Sequence, residues 1–273
     1  MDNFLRKFRA NRIGTIAAIY VGILIIVAIG AAFSGIDPAA ITNNTLRAPS
    51  VSHWLGTDEL GRDVLTGIIF GIRVSLIVGL VAALAATTLG ILIGGISGLF
   101  GGLADTILMR ITELFQVVPT FILAAVVVAL AGSGLTNVIV VIAALAWPQP
   151  ARIMRGEVMR IKQLEYVEAV RCLGYREITI LATEVVPNSI APVLAVGSLL
   201  VGQAILLEAA LSYFGLGSPD ILSWGRMLNS GQRFLSNAWW LSVFPGVAIF
   251  ITILAFNLFG DAIARALNSR GGD

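Results

Sequence analysis

VSLIVGLVAALAATTLGILIGGISGLF, residues 74–100, contains no charged side chain. A helix needs about 20 mainly apolar residues to cross the hydrocarbon core of a bilayer, and this stretch has enough. The same test finds Ile13–Ile36, Leu114–Ala151, Trp240–Gly260, and Val185–Leu207 continuing past Glu208 to about Phe214. Leu114–Ala151 is long enough for two spans, and Gly132-Ser133-Gly134 supplies the turn between them. The expected fold class is therefore an all-α membrane protein with six transmembrane helices.

Composition agrees. Of 273 residues, 57% are hydrophobic and 12% charged, and the mean hydropathy is +0.91. Soluble domains carry about 25% charged residues, so much of this surface faces something other than water. Met1–Arg12 before Ile13–Ile36 has the basic start of a secretion signal. The apolar part is too long for one, and no small-residue cleavage site leads into a soluble domain, so we read it as a retained span. A single cysteine, Cys172, excludes an internal disulfide. With one histidine, His53, a zinc site from the usual ligands is a poor reading. A net charge of +2 gives no argument for nucleic acid.

Six spans place both termini on one side, and Lys and Arg in short loops mark the cytoplasmic side. One side carries Arg6, Lys7, Arg9, Arg12, Arg110, Arg152, Arg155, Arg160, Lys162, Arg171, Arg176, Arg265 and Arg270. The other carries Arg47, Arg62, Arg73, Arg226 and Arg233. The expected layout is a cytoplasmic segment at 1–12, one membrane domain at 13–267 and a cytoplasmic tail at 268–273. Outer loops fall at about 34–73 and 215–239, and an inner loop at about 152–184. Neither an internal repeat nor a low-complexity linker divides the chain.

The inner loop is short, charged and patterned. Ile153, Met154, Val158 and Ile161 recur at helical steps among Arg155, Glu157, Arg160 and Lys162, which predicts an amphipathic helix. Glu165-Tyr166-Val167-Glu168-Ala169-Val170-Arg171-Cys172-Leu173-Gly174 reads as a second helix stopped by Gly174. Glu177–Val185 then leads to Pro187, where the fifth span begins. By itself this is also what a solvated loop of helical propensity looks like.

The spacing of Glu168-Ala169-Val170, Gly174 and Pro187 resembles the EAA loop of ABC importer permeases. Val170 stands where that pattern has a second alanine. The resemblance implies the six-helix type I importer permease fold and a cytoplasmic coupling helix that docks into a groove on a soluble ATPase. Ala169 would permit close approach, Glu168 would supply a charged contact, and Gly174 would allow the turn. The chain has no G-x-x-x-x-G-K-[ST] phosphate loop, so hydrolysis is expected on partner subunits, with ATP and magnesium held there and no cofactor here. Glycines 94, 95, 98, 101 and 102 read as helix packing and a turn.

Residues 53–65, HWLGTDELGRDVL, are similar to the LGTDxLGRD signature of the C-type permease subunit for dipeptides, oligopeptides and nickel. LSYFGLG at 211–217, WGRML at 224–228 and AFNLFGD at 255–261 resemble three further segments of that family, in the same order. The link Ser218-Pro219-Asp220-Ile221-Leu222-Ser223 is more compact than the family's. The resemblance implies a plasma-membrane location in a bacterium or archaeon, and lipid as surroundings. It also implies a second related permease, two ATPase subunits and an extracytoplasmic binding protein as partners. Short peptides are the expected cargo, with nickel or another small solute as the alternative.

Within the outer motif Gly56, Thr57, Asp58, Gly61, Arg62 and Asp63 are the candidate residues, as a binding-protein dock or an internal ion-pair network. Glu208 is the sharpest intramembrane candidate, because a carboxylate there is costly unless paired or hydrated. It would line the pathway, snorkel outward, or pair with Arg226 or Arg233. Gln203 is the second pathway candidate, on a different face. Pro119 and Pro148 fall inside expected spans and kink them. A stand-alone secondary transporter would show inverted repeats and several midplane ionisable groups, and a membrane enzyme would need convergent His, Asp or Glu. Neither pattern is evident.

Overall fold

The computed structural model describes residues 8 and 10–268. Arg6, Lys7, Arg9 and Arg270, with most of the segments expected at 1–12 and 268–273, lie outside the described residues. Eleven helices are named here: α1 (Arg12–Phe33), α2 (Val64–Phe100), α3 (Gly102–Val117), α4 (Thr120–Ala131), α5 (Leu135–Ala146), α6 (Pro148–Ile161), α7 (Glu165–Cys172), α8 (Glu177–Ile180), α9 (Val186–Tyr213), α10 (Trp224–Gly231) and α11 (Trp240–Asn268). Extended pairing among the described residues is a lone bridge between Thr57 and Asp63.

Among the described residues, five stretches are long and apolar enough to cross a membrane: Arg12–Phe33, Val64–Phe100, Leu135–Ile161, Glu177–Tyr213 and Trp240–Ala266. The sixth is a pair, α3 and α4, bent by 87°. The sequence placed a span kinked at Pro119 there, and the kink is a full break between two helices. Pro119 has no N–H to donate, Val118 before it is extended (φ −85°, ψ 133°), and the helix restarts at Thr120. Pro148 acts more gently. It opens α6 at a position where no N–H is needed, and Trp147 keeps helical angles, so α5 and α6 run on as one span. Two further prolines, Pro192 and Pro245, sit inside α9 and α11.

Helix α2 begins ten residues before the apolar stretch that announced it. Asp63 caps it, its Oδ1 accepting from the Thr66 N–H at 2.9 Å, so residues 64–73, read as outer loop, are helix. Arg73 is exposed on this helix and borders a groove with Ile25, Ile29 and Phe33 of α1.

Helices α2 and α9 stand at the centre. Residues from both, with α1, α6 and α11, share one apolar core that includes Leu76, Trp147, Ile205 and Phe256. The closest approach is a glycine seam. A Cβ added at Gly90 would lie 2.6 Å from the Pro150 ring, and one at Gly98 would lie 2.8 Å from Val158 Cβ. At Gly94 it would strike the Ala151 carbonyl. Three glycines at i, i+4 and i+8 form one face, and their lack of side chains lets α6 lie directly on the backbone of α2, as small residues do in membrane bundles. Past the seam, Gly101 (φ +62°) and Gly102 (φ +52°) turn the chain into α3.

The seam makes a direct prediction. Gly94→Ala costs about 1–3 kcal/mol by overpacking, read as a lowered thermal midpoint in detergent. Gly22→Ala, where an added Cβ meets nothing within 4 Å, leaves the midpoint in place. Equal melting of Gly94→Ala and the parent would refute the seam.

Candidate functional sites at the two ends and the middle of the bundle

At one end of the bundle, the motif 56–63 is built mainly by hydrogen bonds to backbone groups, with a His53–Asp63 contact beside them. Asp58 Oδ1 accepts from the Leu60 N–H (2.9 Å) and the Arg62 N–H (2.7 Å). Thr57 is fully buried. Its Oγ1 donates to the Asn44 carbonyl and accepts from the Arg47 N–H at 2.9 Å. Its own carbonyl accepts from the Trp240 indole N–H at 3.2 Å. Gly56 and Gly61 both have positive φ (+81° and +76°) and are crowded. A Cβ on Gly56 would meet Trp240, and one on Gly61 would meet the Thr42 carbonyl. His53 is not a free surface side chain: its Nδ1 lies 3.0 Å from Asp63 Oδ2. Arg62 forms no ion pair with either aspartate among the described residues, and its buried Nε is without a partner.

The 224–228 motif packs beside this one through Met227, and it also meets the end of α9. Trp224 is buried and its indole N–H donates to the Ile68 carbonyl at 2.9 Å. Gly225 lies against Ala209 so closely that a Cβ would come within 2.7 Å of its Cα. The Asn229 side-chain amide donates to the Tyr213 carbonyl at 2.6 Å, closing the end of α9. The fourth motif is elsewhere: Asn257 and Gly260 pack α11 against Gly202 and Ser198 of α9.

At the opposite end, α7 runs from Glu165 to Cys172, and the chain leaves it through Gly174 at φ +84°. Val167 is fully buried with Met154, Val158, Ile180 and Val185, which pins α7 to α6 and to the start of α9. Glu168 and Ala169 face outward, and Val170 packs partly inward. Arg171 binds Glu168 Oε2 through Nη1 (2.6 Å) and Glu177 Oε1 through Nε (2.7 Å), bracing the turn. Leu173 and Ile178 are 76% and 63% exposed beside that brace. Pro187 lies at the second residue of α9, after a π-turn at Leu181–Val185. The sequence reading missed the support beneath α7. Arg155 of α6 grips Asp105 of α3 bidentately (2.5 and 2.7 Å), Ser97 donates to the same carboxylate, and Lys162 donates to the Gly98 carbonyl at 2.7 Å.

Between the ends lies a cavity of about 490 Å³, bounded by α3, α4, α5, α6 and α9, within the size range of small-molecule sites. Gln203 lines it with Gln116, Thr120 and Gln149; the rest of the lining is apolar. Glu208 does not. It is 3% exposed and turned into a separate small pocket with Ser212, Gly217 and Ser223, where Ser212 Oγ donates to its Oε1 at 2.7 Å. Its Oε2 has no partner, and neither Arg226 nor Arg233 pairs with it among the described residues. Gln116 and Gln149 were not singled out from sequence; their signal was an uncharged amide at the edge of an apolar run, in Gln149's case between two prolines.

A multi-span helical bundle with a braced helix projecting from one end and a cavity open along its side is the architecture of a transport permease. The chain belongs to the family described as the binding-protein-dependent transport system inner membrane component, which matches residues 86–271. It is 37% identical over 273 residues to the glutathione transport system permease protein GsiD of Pectobacterium atrosepticum, covering 98% of this chain and 90% of the relative. It is 34% identical over 268 residues to the dipeptide transport system permease protein DppC of Alkalihalophilus pseudofirmus, covering 97% and 88%. An inward-facing structure of the MetNI methionine ABC transporter resembles it in fold, with TM-score 0.63 at 17% identity over 75% of this chain and 97% of that chain. The fold is that of a type I importer permease.

The outer motif predicts which substitution its cap tolerates. Asp63→Ala removes the α2 cap and the His53 contact and costs about 1 kcal/mol or more. Asp63→Asn keeps a capping oxygen and recovers most of the loss. Chemical or thermal unfolding in detergent reads both, and equal stabilities would sink the capping role.

Proposed function

We propose that this chain is one of two related permease subunits of an ATP-driven importer for short peptides. It forms half of the path, and separate ATPases dock on α7. The exposed, braced end of α7 carries this reading. Glu168 offers charge on a helix firmly anchored by Val167, and Leu173 at its end and Ile178 of α8 offer apolar contact beside it. Arg152, Arg155, Arg160, Lys162, Arg171 and Arg176 cluster at that end, which supports a cytoplasmic address for it and for both termini. The ends of α1 and α11 adjoin there, around Asn11 and Arg265. Peptide cargo is supported by the relatives named for glutathione and dipeptide transport. ATP and magnesium then belong to the ATPases, this chain hydrolyses nothing, and an extracytoplasmic binding protein delivers cargo to the end built by residues 42–63 and 211–232.

Co-purification with the partner ATPases tests the docking. Burying one leucine is worth about 1.5–3 kcal/mol, so Leu173→Asp weakens ATPase retention by tenfold or more. Glu168→Lys also repels Arg171 and lowers retention and uptake, while both variants still insert and melt like the parent. Full retention and full uptake in both would overturn the assignment of α7.

A further inference from the structure

The middle cavity has a chemistry of its own. Gln116 lies at the end of α3, Gln149 at the start of α6, and Gln203 on the face of α9 shared with Leu200 and Leu207; the Thr120 hydroxyl adds a fourth polar group. No ionisable side chain lines the cavity. All three amides are exposed to the open cavity, and none has a hydrogen-bond partner among the described residues, so their donors and acceptors are free for a ligand. The nearby carboxylate, Glu208, is withdrawn into its own pocket on the other side of α9.

Each glutamine amide offers two N–H donors and a carbonyl acceptor. Three of them around an apolar cavity complement a ligand that presents N–H and C=O groups together, as a peptide unit does. They provide no countercharge that would favour an acidic or a basic side chain. Resting on the reading of this cavity as half of the path, we propose that Gln116, Gln149 and Gln203 form a transit site that holds short peptides by their amide groups and is indifferent to side-chain charge. Charge selection, where it exists in the importer, then occurs before this point. The bend at Pro119 belongs to the same device, because it brings Gln116 and Thr120 to the cavity from two helices set at 87°.

The test is uptake by the complete importer in proteoliposomes, with its ATPases and binding protein, of Ala-Glu, Ala-Ala and Ala-Lys. Each variant is compared with the parent for the same dipeptide, so the preference of the binding protein cancels. Gln203→Glu and Gln149→Glu each depress Ala-Glu relative to Ala-Lys by about tenfold, the scale of a like-charge contact across a partly hydrated cavity. Gln203→Lys reverses the ratio, and Gln203→Leu slows all three dipeptides alike. Equal factors for all three dipeptides in every charged variant would overturn the transit site while leaving the permease reading intact. Loss of the second permease on purification of Gln203→Leu would also overturn it, by making the amides subunit contacts. A parent importer that moves none of the three dipeptides would remove the peptide cargo, and the transit site with it.

Discussion

The backbone-to-backbone contact of α2 with α6 is what the remaining arrangement depends on. Three glycines on α2, at 90, 94 and 98, present peptide groups rather than side chains to Pro150, Ala151 and Val158. In a bilayer, apolar side chains gain little by leaving lipid for one another, so close packing of small residues carries helix association. Because α6 is fixed there, Arg155 reaches Asp105 and Lys162 reaches the Gly98 carbonyl. Those contacts in turn hold the apolar cluster on which Val167 seats α7. A substitution at one glycine would therefore be felt at α7.

One helix serves two places. Gln149, at the start of α6, faces the middle cavity, and Ile161, at its end, is buried beneath α7. At 1.5 Å per residue the two are about 18 Å apart on a single rod. Any force on α7 is delivered to α6 through packed apolar side chains, and α6 carries an amide of the transit site at its far end. The opposite end is built differently, from capped turns and two buried indoles, Trp240 tying the 56–63 segment to α11 and Trp224 tying α10 to α2.

Much of this was legible in sequence because the bilayer imposes a strict length and apolarity on helices. The five long spans, the glycine packing, and the helix ending at Gly174 followed from that constraint or from the left-handed conformation that glycine allows. The misreadings have physical causes. Residues 64–73 looked like loop because Arg73 interrupts the apolar run, but a cap at Asp63 and an outward-facing arginine make it ordinary helix. The kink expected at Pro119 is there, but its size, 87°, was not legible, because hydropathy does not register how far a missing N–H lets the two helices swing apart. Asp58, Arg62 and Asp63 suggested ion pairs because sequence shows charge and hides the backbone N–H groups that the carboxylates bind. Glu208 drew attention by its charge, whereas the cavity is lined by amides that carry none.

The bend between α3 and α4 has a consequence for biogenesis. With 16 and 12 residues, these helices reach about 24 and 18 Å, and neither alone crosses a hydrocarbon core of about 30 Å. Val118 and Pro119 are both exposed on this chain, and free peptide groups at a break cannot face lipid, so in a bilayer they need cover from something other than acyl chains. At the other end of α4, the Asn137 amide must fold back to bind the carbonyls of Ala131 and Gly132, both at 2.9 Å. This part of the chain is thus finished after it is made: the end of α4 waits for Asn137, translated eighteen residues after the bend.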